Sequence, residues 1–208
     1  MTGSTDVSAE LQGRIAAGAP QPISDLLDSL DEPKRLEALY SLDRPQQRAL
    51  WRAVDGFRSV RILDMVPAGT PDLTAVKHYG KNSLPMFRLF EKRFYRPDGQ
   101  DPSKPSELGG ANFQAIQLLT GPGYFVATDS PSRPEVLVDY YRVPKVKPAD
   151  FFPIEENRRN RGGLIYGYMI DTLRRVSEHI TIGSAAKHGK DIGSYFVLCR
   201  QAGAYGAK

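Results

Sequence analysis

Apolar positions along this chain switch between two spacings, and the switch predicts its elements. From Gly162 to Ser177, Leu164, Ile165, Tyr168, Met169, Leu173 and Val176 recur at steps of three and four. That spacing puts them on one face of a helix. Arg174, Arg175 and Glu178 fall on the other side, with Asp171 one turn before the arginines as an ion-pair partner. After Ser177 the period becomes two. Ile180 and Ile182 alternate with His179, Thr181 and Gly183, and 195–200, YFVLCR, is a second apolar run of strand length. The glycine- and charge-rich link between them predicts an antiparallel hairpin.

The same reading applies along the rest of the chain. Residues 1–20 read as a flexible N-terminal tail, and 21–58 as a small helical appendage of three short helices. Asp31-Glu32-Pro33 and Asp43-Arg44-Pro45 each set an acidic residue before a proline suited to a first helical turn. Residues 59–202 read as one α+β domain, and 203–208 as a C-terminal tail. Within the domain, 59–66 reads as a strand, and Pro85–Arg96 as a helix with Met86, Phe87, Phe90 and Phe94 on its apolar side. Segments 112–119, 124–128 and 135–143 read as a three-strand meander, joined by short turns at Gly121-Pro122-Gly123 and 129–134. The expected fold is therefore α+β. A mostly antiparallel sheet of five to six strands packs on two main helices, with the N-terminal appendage beside them.

Composition changes this picture little. Hydrophobic residues at 40% and charged residues at 25% are ordinary for a globular protein. No apolar run approaches the length of a membrane-spanning helix, and the polar N-terminus has no secretory-signal core. The single cysteine, Cys199, lies in an apolar strand, where a buried inert thiol is expected and an internal disulfide is impossible. A cytoplasmic location is the expectation.

Charge is uneven. Residues 1–58 carry 7 Lys+Arg against 9 Asp+Glu, and the remainder carries 21 against 15. A basic half suits an anionic partner. Two basic segments near glycines could hold an anion. One is Arg158, Arg159 and Arg161 ahead of the expected central helix, and the other is Lys187 and Lys190 in the hairpin loop. His179 would stand with the three arginines near the mouth of a pocket between sheet and central helix. Arg88, Lys92 and Arg96 are four apart, with Arg93 beside them, and would form a basic stripe on the Pro85–Arg96 helix.

Catalytic signatures are absent from the sequence. There is no HExxH, no CxxC, no P-loop spacing and no GxSxG elbow, so neither a metal site nor a cofactor is implied. Three expectations follow. The first is a non-enzymatic binding or assembly subunit with a protein partner or as a homo-oligomer. The second is a binder of a small anionic or aromatic ligand, conceivably an enzyme, with a pocket between sheet and central helix. The third is nucleic-acid binding through the basic face.

Overall fold

A computed structural model describes residues 6–84, 88–113, 123–155, 157 and 167–203. Four short helices come first: α1 (Val7–Ala17), α2 (Pro20–Ser29), α3 (Glu32–Ser41) and α4 (Arg44–Ala53). The capping signals explain their starts. Asp6, Asp31 and Asp43 each accept backbone N–H bonds from the first turn, and Asp43 completes a reciprocal box with Gln46. The stretch expected to be a flexible lead is thus helical from Val7, closed by Gly18 in the left-handed region at φ 73°.

A single turn, α5 (Ile62–Met65), follows where a strand was expected. Eight strands then run β1 (Val76–Asn82), β2 (Leu89–Tyr95), β3 (Leu108–Phe113), β4 (Tyr124–Asp129), β5 (Val136–Asp139), β6 (Met169–Arg175), β7 (Ile180–Lys187) and β8 (Lys190–Arg200). Each pairs antiparallel with the next, and β8 returns to β1, so the sheet closes into a barrel. This overturns the expected open sheet of five to six strands on two main helices. Closure removes the exposed edges such a sheet would leave.

Both predicted main helices are strands where they are described. The Pro85–Arg96 helix is β2, and the second half of the central helix is β6; its first half, 162–166, lies outside the described residues. Alternation decides the outcome. In β2, Phe90, Lys92 and Phe94 face the interior while Glu91, Arg93 and Tyr95 face out. In β6, Asp171 and Leu173 face in, opposite Val138 and Val136 of β5. The β7–β8 hairpin and the antiparallel pairing of β4 with β5 agree with the sequence reading; of the strand expected at 112–119, residues 114–119 lie outside the described residues, and β3 instead begins at Leu108, in a stretch read as loop.

The barrel has one filled interior and two covered outer faces. Val76, Phe94, Leu108, Phe125, Val136, Val138, Leu173 and Leu198 line the inside, and Val60, Ile62, Met65 and Val66 around α5 plug one end of it. On the outside, Ile180, Ile182, Val197 and Cys199 of β7 and β8 pack on Leu11, Ile15, Ile23, Leu27, Leu39 and Leu50 of the helices. The helices' apolar faces are therefore covered within the chain itself. The strap after β5 covers a second outer face: Tyr95 donates to the Val146 carbonyl, Tyr124 to that of Phe152, and Phe151 packs edge-on against Tyr95.

Three interior glycines shape the lumen. A β-carbon on Gly80, Gly110 or Gly183 would stand 2.6, 2.2 or 2.1 Å from the ring of Phe90, Phe125 or Phe196 on the neighbouring strand. Each ring lies flat over a glycine, against the barrel wall.

Candidate ligand-binding site inside the barrel

Between the plug at α5 and the opposite end of the barrel, polar side chains enter an apolar surround. Lys92 of β2, Asn112 of β3, Asp171 of β6 and Tyr140 just after β5 are all buried. The register explains their meeting: Lys92 pairs with Asn112 across β2–β3, and Asp171 stands one inward position from Tyr140 across β5–β6. Lys92 Nζ donates to Asp171 Oδ2 at 3.1 Å and to Tyr140 Oη. Tyr140 Oη donates to Asp171 Oδ2 at 3.3 Å and accepts from Asn112 Nδ2 at 2.8 Å.

Rings complete the surround. The Lys92 ammonium lies 5.0 Å from the centroids of Phe125 and Tyr140 and 5.1 Å from that of Phe196. Their faces attract a cation electrostatically. Burial pulls the Lys92 ammonium below the usual lysine range, and Asp171 opposes that shift. Burial pushes Asp171 up, and Lys92 opposes it. The pair is held in a place where either charge alone would be costly.

Two acceptors are left over. Asn112 Oδ1 and Asp171 Oδ1 are buried and have no hydrogen-bond partner. A buried carboxylate oxygen without a donor loses hydration and regains nothing. Both oxygens belong to side chains that already meet at Tyr140 Oη, so they flank one small region. A hydroxyl or an N–H is the kind of group that would satisfy them.

The sequence-predicted residues fare differently. Lys92 is in this cluster, but as an inward strand residue with 1% exposure, not as part of a basic stripe. Arg96 is also buried, bonded to Asp72 at 2.6 Å and to the Thr70 carbonyl. Arg93 faces outward, paired with Glu91 and stacked 3.8 Å over Phe113. Arg88 is exposed just before β2. The four therefore form no common basic face. Of the three residues four apart, only Lys92 falls within β2, and its side of the strand is the interior.

His179 sits in the β6–β7 turn beside Arg200, whose guanidinium lies 3.4 Å from His179 Nδ1. It lines a surface cleft of about 240 Å³ with Thr70, Arg200 and Gln201. Lys187 and Lys190 are paired at the far end of the same hairpin. Eight residues of strand, about 26 Å, separate Lys187 from His179. Arg158, Arg159 and Arg161 lie outside the described residues. The pocket expected between sheet and central helix has no such helix to form it at 169–175.

The sequence reading places none of Asp171, Tyr140 and Asn112 in a site. It pairs Asp171 with Arg174 or Arg175 as helical neighbours, whereas its partner is Lys92, 79 positions away. The available signal was Phe90-Glu91-Lys92-Arg93-Phe94, where an inward charge sits between two apolar inward positions. Cys199 is buried as expected, and burial raises its thiol to about 11.

Among the described residues, no cluster of His, Cys, Asp and Glu could hold a metal ion, and no helix is long and apolar enough to cross a membrane. No protein-family model matches this chain, and no curated protein matches it significantly.

Proposed function

We propose that the barrel interior binds a small, mainly apolar molecule through a hydrogen-bond donor on its head group. One observation carries the reading: Asp171 Oδ1 and Asn112 Oδ1 are buried without partners beside the caged Lys92. An eight-stranded barrel is just wide enough for its side chains to fill it or to hold one small ligand among them. The walls offered here are the rings of Phe125, Tyr140 and Phe196, which favour a flat or aromatic body. The ligand class is that of the second sequence expectation, moved from a sheet–helix pocket to the lumen and changed from an anion to a donor.

The test is calorimetry with a matched pair, benzyl alcohol and toluene. The alcohol adds one donor to the same apolar body. A hydrogen bond to a charged acceptor contributes about 1.5–3 kcal/mol, so the alcohol binds roughly tenfold or more tightly. Asp171→Asn abolishes most of that preference. Equal affinity for the two compounds, or binding of neither, overturns the reading.

A further inference from the structure

We propose that the surface cleft beside α5 binds a small carboxylate, held by Arg200 and Thr70. The cleft measures about 240 Å³ and is lined by Pro67, Gly69, Thr70, His179, Arg200 and Gln201. Drug-sized pockets start at about 300 Å³, so this one suits a molecule of a few heavy atoms. Neither Lys92 nor the rings around it line this cleft, so the proposal stands apart from the reading of the barrel interior.

Arg200 supplies the charge. Its Nη1 donates to the Asp64 carbonyl at 2.9 Å, and its Nη2 to His179 Nδ1 at 3.4 Å. Both acceptors are neutral. A guanidinium has five N–H donors, so these bonds leave three. Among the described residues, no carboxylate lies within ion-pair distance of Arg200. The Asp64 carboxylate is taken by Arg175, and Glu32 accepts from the Ala202 N–H. Glu178 is largely exposed, with Oε1 3.9 Å from His179 Nε2.

The neighbouring groups are donors. Arginine only donates, so His179 Nδ1 accepts and the ring's proton sits on Nε2. Burial first, then Arg35 and Arg200, hold the His179 pKa below the usual histidine value, against the opposing pull of Glu178 and Asp28. Thr70 is 1% exposed and fixed by its N–H bond to the Pro67 carbonyl. Its Oγ1 is buried with no hydrogen-bond partner, so the cleft wall holds a hydroxyl with nothing to bond. Arg96 reaches the Thr70 carbonyl as well, but Asp72 answers its charge at 2.6 Å. The cation left without a counter-charge at the cleft is Arg200. One such cation suits a monoanion, and a planar fork of N–H groups matches a carboxylate.

The experiment titrates the full chain with sodium propionate at constant ionic strength and follows backbone amide shifts by NMR. Propionamide, the same shape without charge, is the control. The expected result is saturable shifts centred on Thr70, Arg200 and Gln201, with a Kd at or below about 10 mM and propionamide at least about tenfold weaker. Arg200→Gln loses the binding. Thr70→Val removes a hydroxyl that has no partner, so it melts no lower than the native protein and binds propionate at least about threefold more weakly. Equal shifts from propionamide, no saturable shift at these residues, or undiminished binding by Thr70→Val overturns the proposal. Tighter binding of inorganic phosphate than of propionate overturns the assignment to a carboxylate.

Discussion

Lys92 on β2 and Asp171 on β6 meet across the barrel interior, Nζ to Oδ2 at 3.1 Å, with side chains 1% and 3% exposed. The two strands are not neighbours in the sheet, so the contact spans the lumen. Tyr140 bonds to both and ties β5 into the same knot. The pair sets two opposite charges inside a mainly apolar barrel.

Breaking the pair from one side leaves a buried charge unpaired. Asp171→Leu alone costs about 3–5 kcal/mol in urea unfolding, and Lys92→Met alone costs a similar amount. The double variant recovers most of that loss, because two apolar groups replace two charges. Additive losses in the double variant would show that the two side chains do not act as a pair.

Acid sensitivity should trace to His78. Its ring is fully buried on β1, with Nε2 3.0 Å from the Met65 carbonyl and an edge contact to Phe94. A carbonyl only accepts, so Nε2 carries the proton and the neutral ring is the native form. Burial is the largest cause lowering its pKa from 6.5 to about 3, and the nearby cations Arg200 and Lys92 add to it. The unfolded chain takes up the proton first. His78 therefore costs nothing above pH 6.5, and its destabilising effect grows as pH falls from 6.5 towards 3. Denaturant midpoints measured across that window should fall steeply in the native protein and less steeply in His78→Phe.

Glycine replacements should separate by position. Gly183→Ala sets a β-carbon 2.1 Å from Phe196 and drives its ring towards Lys92, a loss of about 1–3 kcal/mol. Gly13→Ala lies in α1 with nothing within 4 Å and gains up to about 1 kcal/mol. Thermal melts of both variants decide the sign.

Arg174 anchors the helices to the barrel. Its guanidinium stacks 3.8 Å over Trp51 of α4, donates to the Trp51 carbonyl at 3.1 Å, and reaches Glu135 at 2.8 Å and Asp55 at 3.0 Å. A lysine cannot fork or stack in this way. Arg174→Lys should lower stability by about 1–2 kcal/mol and change the fluorescence of Trp51, the only tryptophan in the chain. An unchanged emission spectrum would contradict the anchoring role.

Local signals in the sequence reached some elements and missed the closure. Asp31 and Asp43 before their prolines mark α3 and α4, and the alternation of Ile180 with Ile182 marks β7. The failures share a cause. Steps of four satisfy a helix and a strand alike, so Phe90 and Phe94 fit both. On β2 the inward row includes Lys92, and a charge at an inward position hides the apolar alternation that identifies a strand. Asp171 hides β6 in the same way. Closure itself depends on the β1–β8 pairing, which joins residues over 110 positions apart and leaves no local trace.

The central claim is that ligand enters among the interior rings, and intermolecular nuclear Overhauser effects to bound benzyl alcohol test it most directly. The account predicts cross-peaks from the alcohol's ring to Phe125 and Phe196, which lie flat over Gly110 and Gly183 around Lys92. Cross-peaks confined to the helix-packed outer face, at Ile182 or Val197, would contradict it.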